Sequence, residues 1–339
     1  MIEKEAGVGS SYPDFEYERA GCKIAETAAE VWHWADMIIK VKEPLECEYG
    51  FFREGLILYT YLHLAADAKL AEELMKTGMK AVAYETIVDS RNGGLPCLAP
   101  MSEIAGRMSI QEGAKYLERP FGGRGVLLGG VPGVKPGNVL ILGAGNVGAN
   151  AAKLAVGMGA TVTITDVNIN RLAYLDELFK NRITTLYASE ENISDALKDA
   201  DLVIGSVLLP GNATPKLVRR EHLKLMKPGA VIVDVAIDQG GCVETSHPTT
   251  HDDPVFAVDG IIHYCVGNMP GAVSRTSTQA LVNRTMPFGL KMAEMGLEAA
   301  CKADSKGLML GVNCYAGKCT HHGVSEALNL TYTDPETLM

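Results

Sequence analysis

Apolar positions in the first ninety residues gather into three short runs, MIIKV at 37–41, LILYTYL at 56–62 and AVAYET at 81–86. Each is brief and rich in β-branched or aromatic residues, the pattern of strands buried on both faces. Between the last two lies DAKLAEELMKTG, where Asp67 suits a helix N-cap, Leu70 and Leu74 share one face, and Gly78 can end the helix. A helix with Ile24, Ala28 and Val31 on one face is expected before the first strand. The rhythm α–β–β–α–β calls for an open α/β sheet.

A long helix follows over PMSEIAGRMSIQEGAKYL, then the glycine-rich connector GGRGVLLGGVPGVKPG, then a second βα series. Its strands are NVLIL at 138–142, TVTIT at 161–165, ITTLY at 183–187, LVIGS at 202–206, AVIVDVAI at 230–237 and IIHYCV at 261–266. The helix NVGANAAKLAVGMG ends at Gly157 or Gly159, and the chain reads helical from 275 to about 300. The pattern therefore describes two doubly wound parallel sheets in series. No internal repeat or low-complexity tract interrupts it.

Length and composition fit this picture. A chain of 339 residues, 47% apolar and 21% charged, can build two cores and is not disordered. A net charge of −10 argues against general affinity for nucleic acid or anionic lipid. No apolar run reaches membrane-spanning length, and the first residues carry no secretory signal core. Eight cysteines scattered through apolar segments suit a reducing compartment, so a cytoplasmic location is expected. Cys314, Cys319, His321 and His322 lie close in sequence, but their spacing lacks a second ligand pair. A loop beside a C-terminal helix is the favoured reading there, with no metal.

The segment ILGAGNVG places Gly143, Gly145 and Gly148 in Gly-x-Gly-x-x-Gly spacing between a strand and a helix. That context gives the motif its meaning. The first glycine permits the tight turn, the second lets backbone approach a pyrophosphate, and the third lets the helix lie close on the sheet. The helix N-terminus offers free N–H groups to the phosphates. Asp166 ends the next strand, where its carboxylate would accept from the ribose hydroxyls and repel a 2′-phosphate. The cofactor expected is NAD rather than NADP.

Ligands of such sheets bind beyond the carboxyl ends of the strands. Three ionisable residues stand there, Lys42 after MIIKV, His63 after LILYTYL and Asp238 after AVIVDVAI. Singly, Lys42 reads as a solvated lysine, His63 as a satisfied histidine and Asp238 as a turn cap. Together they make a catalytic set. Hydride transfer to NAD from a carbon bearing an amine or hydroxyl needs a base, and histidine has the right intrinsic acidity. Lys42 can meet a carboxylate or developing carbonyl, and Asp238 can place an attacking water.

Seven blocks resemble the alanine dehydrogenase family in its order and over nearly the whole chain. They are IIKVKEP, LYTYLHLAAD, MSEIAGRM, GGRGVLLGGVPGV, DLVIGSVLLPG, VDVAIDQGGCVETSHPTTHDDPVF and NMPGAVSRTSTQAL. The resemblance implies reversible oxidative deamination of L-alanine to pyruvate and ammonia with NAD. It also implies a homohexamer and a Rossmann domain at 99–274 inserted in a discontinuous substrate domain, 1–98 with 275–339. By the same resemblance Lys42 binds substrate, and His63 and Asp238 handle protons. Asp166 binds ribose, Ser102 contacts the cofactor, and Asn268 lines the nicotinamide and substrate side. Cys242 is read as packing.

The chain departs from the family at its front. The resemblance implies an opening strand–helix unit with a motif like E-x-x-x-x-E-x-R-V-A-x-T-P, whose arginine clamps the substrate carboxylate. No such motif occurs here, and MIEKEAGVGS resembles the end of the second family strand and its glycine turn. Arg19, in YERAG, is no substitute, and a lysine does not reproduce the guanidinium fork. Two expectations follow for an N-terminally incomplete substrate domain. The chain binds NAD yet turns over alanine poorly or not at all, and its first sheet shows apolar surface and an unpaired strand edge. Two other readings stay open. One is the related NAD-binding subunit of proton-translocating transhydrogenase, and the other a non-catalytic NAD-binding chain.

Overall fold

The computed structural model describes residues 1–207 and 214–339. The final residues of the block DLVIGSVLLPG lie outside the described residues. Two compact units emerge, Met1–Pro100 with Ser274–Met339, and Met101–Val273.

In chain order the early strands are β1 (Ile2–Glu3), β2 (Ile24–Ala25), β3 (Met37–Ile39), β4 (Ile57–Thr60) and β5 (Lys80–Ala83). The glycine-rich half holds β6 (Asn138–Leu142), β7 (Thr161–Asp166), β8 (Thr184–Tyr187), β9 (Leu202–Gly205), β10 (Val231–Asp234), β11 (Val255–Val258) and β12 (Ile261–Tyr264). The C-terminal hairpin is β13 (Val312–Tyr315) and β14 (Lys318–Cys319).

In the first unit β3, β4 and β5 are parallel, and the hairpin adds β13 and β14 antiparallel to give the order β14-β13-β5-β4-β3. Leu58, Leu62, Leu70, Leu74 and Met79 fill its core. The helix Ala68–Thr77 forms where its caps dictate: the Asp67 carboxylate accepts the Leu70 N–H at 2.9 Å, and Gly78 stops it at φ +69°. One expectation fails nearby. Ile24 is not helical but pairs with Ile2 in the separate parallel pair β1–β2. The helix starts only at Ala28, because Thr27 accepts the Glu30 N–H and caps it there.

β3 ends its sheet, with Ile39 53% and Val41 57% exposed. A groove of about 490 Å³ runs between this edge and β1, floored by Tyr59, Tyr84, Leu281 and Thr285.

In the second unit the parallel strands run β8-β7-β6-β9-β10-β12, with β11 added antiparallel beyond β12. Numbered from its own first strand this is the order 3-2-1-4-5-6 of a dinucleotide-binding sheet, with the crevice at the reversal between β6 and β9. The pattern alone did not show the antiparallel additions β11, β13 and β14. It also made several strands too long, two of them where the chain turns into a 3₁₀ helix. β5 stops at Ala83, where Tyr84–Thr86 turn as a 3₁₀ helix. β10 stops at Asp234, whose buried carboxylate accepts the Cys242 and Val243 N–H groups and anchors the turn instead.

Candidate functional site

In the second unit the glycine turn follows β6 directly. Gly143 sits at φ +100°, and its N–H donates to the Thr165 carbonyl at 2.8 Å. A Cβ on Gly148 would stand 1.9 Å from the Gly143 carbonyl oxygen, so only glycine lets the helix Asn146–Gly157 lie this close. Among the described residues a Cβ on Gly145 would meet nothing within 4 Å. Gly145 is the N-cap and carries no side-chain cap, so the first N–H groups of the helix face an open cradle. That donor set fits a pyrophosphate.

Asp166 closes the turn from the end of β7. Its Oδ2 accepts the Ala144 N–H at 2.7 Å and its Oδ1 the Asn168 N–H at 2.8 Å. Arg171, donating to the Ala144 carbonyl at 2.6 Å, braces the same loop and was not anticipated. Ser102 lies on the helix Ala99–Tyr116, one turn before Gly106. A Cβ on Gly106 would be 2.2 Å from the Val147 carbonyl, so this helix packs against the glycine-turn helix.

Asp238 does not end a strand but sits in the 3₁₀ turn Val235–Gln239 after β10. The turn brings it to Asn268, whose N–H donates to Asp238 Oδ2 at 3.3 Å. Asn268 itself is held at φ 50°. Cys242 is buried, its Sγ donating to Asp234 Oδ1 at 3.7 Å, and burial pushes its thiol far above the ordinary value.

In the first unit Lys42 follows β3 and is anchored by its carbonyl, which accepts the Thr60 hydroxyl at 2.9 Å. His63 follows β4 in the left-handed region, φ 50° and ψ 32°. Its N–H donates to Glu85 Oε1 at 2.6 Å, and the Leu62 N–H donates to the same oxygen at 3.1 Å. The imidazole lies over Tyr61, centroids 6.0 Å apart, and its Nδ1 is 3.2 Å from Glu43 Oε2. Burial opposes the charge of Glu43, but a backbone N–H, the His63 ring and the Lys42 ammonium outweigh it and hold its carboxyl below the ordinary value. Lys42, Glu43 and His63 thus form one linked group. Neither Glu43 nor Glu85 was singled out from sequence. The signal for Glu85 was its place just beyond β5, whose last residue Ala83 pairs with Thr60, two residues before Leu62.

The C-terminal histidines have structural partners. His321 Nδ1 accepts the Val324 N–H at 3.3 Å and caps the helix His322–Leu328, while His322 stacks on Tyr332 at 3.6 Å. Cys314 and Cys319 face each other across the hairpin. Among the described residues no group of three or more His, Cys, Asp or Glu could hold a metal ion. None of the described helices is long and apolar enough to cross a membrane.

Comparison with known proteins matches two family models, "Alanine dehydrogenase/PNT, N-terminal domain" over residues 1–105 and "Alanine dehydrogenase/PNT, C-terminal domain" over residues 109–322. An alanine dehydrogenase of Methanococcus maripaludis is 55% identical over 336 residues, covering 99% of this chain and 90% of that protein. One from Bacillus subtilis is 52% identical, covering 99% and 88%. A solved L-alanine dehydrogenase superposes with a TM-score of 0.92 at 51% identity, over 97% of this chain and 90% of that one. The transhydrogenase from Sinorhizobium meliloti gives a TM-score of 0.78 at 25% identity, over 94% and 89%.

Proposed function

The chain belongs to the alanine dehydrogenase/PNT family, and on that premise we propose that it oxidises L-alanine to pyruvate and ammonia with NAD, and runs the reverse amination. The observation that carries this reading is identity above 50% to alanine dehydrogenases over nearly the whole chain, against 25% to a transhydrogenase of similar fold.

NAD supplies the hydride acceptor when bound. The glycine turn Gly143, Gly145 and Gly148 would hold the pyrophosphate on the N–H groups of the Asn146–Gly157 helix. Asp166 would accept from the ribose hydroxyls and disfavour a 2′-phosphate. Ser102 adds a cofactor contact, and Asn268 contributes on the nicotinamide side.

Four groups of the chain carry the remaining chemistry. Lys42 Nζ meets the substrate carboxylate or the developing carbonyl. His63 Nε2 has no hydrogen-bond partner among the described residues, so it is free to take the proton released as alanine is oxidised and to return it in the reverse direction. Water must then add to the oxidised carbon before ammonia leaves. The Asp238 carboxylate accepts a proton from that water, and the Asn268 N–H that it accepts keeps it oriented.

The same reading places the protein in the cytoplasm as a homo-oligomer, a hexamer by family resemblance. Exposed Leu127, Val131 and Val134 in one segment of the second unit supply apolar surface for such contacts. Light scattering of the purified chain measures the state.

Steady-state absorbance at 340 nm tests the activity. NADH formation that requires L-alanine, and that falls sharply when NADP replaces NAD, is the expected result. NADH binding seen by fluorescence without alanine-dependent reduction favours a non-catalytic chain.

A further inference from the structure

We propose that Glu43 is a positioning residue that holds His63 as its Nδ1–H tautomer and leaves Nε2 as the proton-accepting atom. The inference rests on the proposed role of His63 and adds a residue that the family resemblance did not assign.

The geometry is direct. His63 Nδ1 lies 3.2 Å from Glu43 Oε2. An ionised carboxylate can only accept, so the ring nitrogen facing it must carry the hydrogen. Glu43 is kept ionised by its surroundings: burial works against the charge, and a backbone N–H, His63 and Lys42 prevail. A neutral imidazole with hydrogen on Nδ1 has its lone pair on Nε2, the nitrogen without a hydrogen-bond partner among the described residues. The groups facing the ring are Glu43 from the loop after β3 and Tyr61 stacked beside it, with Glu85 at its backbone and the Lys42 charge acting on the Glu43 carboxylate.

Backbone and ring are fixed by different carboxylates. Glu85 takes the His63 N–H and pins the left-handed turn, but touches neither ring nitrogen. Without Glu43 the ring would be free to turn over and to exchange tautomers, and only part of the population would present a basic Nε2. Hydrogen bonds that fix the tautomer and orientation of metal-ligating histidines have this effect, with losses of about ten- to a hundredfold on their removal, and the same scale is expected here. Glu43 and His63 side chains are 38% and 48% exposed, so substitution at Glu43 leaves the core intact.

The test is a ¹⁵N-edited NMR spectrum of the imidazoles, assigned with His63→Asn, in wild type and Glu43→Ala. It is run on the full chain without alanine. In a sample whose imidazoles are uncharged, the expected result is hydrogen on Nδ1 of His63 in wild type and a population shifted toward Nε2–H in Glu43→Ala. In turnover, Glu43→Ala and Glu43→Gln lower kcat about ten- to a hundredfold while the KM for NAD stays within about twofold. NADH fluorescence checks that each variant is folded. A wild-type ring already carrying hydrogen on Nε2, or one unchanged in Glu43→Ala, overturns the inference. It does so whether or not the wild type oxidises alanine, because the spectrum does not depend on turnover.

Discussion

The Glu85 carboxylate accepts the backbone N–H of His63 at 2.6 Å and holds that residue at φ 50°. The left-handed region costs a residue with a Cβ roughly 1–2 kcal/mol, so the turn exists only because something outside it compensates. Glu85→Ala leaves the Leu62 and His63 N–H groups without their acceptor. A loss of about 1–3 kcal/mol in urea-unfolding stability is expected, together with loss of turnover. His63→Asn is the contrasting case. Asparagine tolerates the left-handed region, so this variant should unfold near the wild-type midpoint and fail only in the activity assay.

The three glycines of the turn have separable roles. Gly148→Ala drives a Cβ to within 1.9 Å of a backbone carbonyl, which cannot move aside as a side chain would. It should destabilise the protein by about 1–3 kcal/mol or more and abolish NADH binding. Gly145→Ala meets nothing within 4 Å among the described residues and should melt normally. Its methyl group would occupy the approach to the pyrophosphate, so NADH affinity should fall by about tenfold or more, ~1.4 kcal/mol. Parallel thermal melts and NADH fluorescence titrations check the pair.

Thiol labelling probes both cores. Cys47 is exposed, Cys22 half-buried, and the other six cysteines are buried. Burial pushes Cys97, Cys265, Cys301 and Cys314 up to about 12. At neutral pH that leaves each about a thousandfold less thiolate than a free cysteine, before access is considered. A disulfide reagent should titrate Cys47 quickly, Cys22 more slowly, and the rest only on unfolding. Rapid release of more than two equivalents from the native protein would show that the cores open.

Glu298 ties strand β5 to the C-terminal hairpin, accepting from Lys80 at 2.5 Å and from the Tyr315 hydroxyl at 2.9 Å. Burial opposes its charge, but Lys80, a backbone N–H and Tyr315 outweigh it and hold the carboxyl below its ordinary 4.5. Below that value the unfolded chain binds the proton first. The contribution is therefore complete above the unfolded value and is lost as pH falls through the lowered folded one. Urea midpoints at about pH 7 and about pH 4 should differ less in Glu298→Gln than in wild type.

How much of this was legible in the sequence depended on how local the cause was. Asp67, Gly78 and the glycine turn act within a few residues, and the chain carries their signal openly. Asp166 was placed by its distance beyond that turn. Ile24 was misread because a two-residue strand has no periodicity, and its partner Ile2 lies far back in the chain. The 3₁₀ turn after Asp234 was hidden because the apolar Val235, Ala236 and Ile237 continue while the backbone leaves the sheet, and the one after Ala83 because Tyr84 and Thr86 are strand-favouring residue types. Glu43 and Glu85 were missed for a related reason. A glutamate just beyond a strand looks like any solvated charge until the fold brings its carboxylate to His63.

The most direct measurement is the fate of the alanine Cα hydrogen. L-alanine deuterated at that carbon is incubated with NAD and the purified chain, and the nicotinamide product is examined for deuterium alongside assays for pyruvate and ammonia. The account predicts one deuterium in the NADH formed, with pyruvate and ammonia in equal amounts. NADH that binds to the chain, with no deuterium transferred from alanine under any condition, would contradict it.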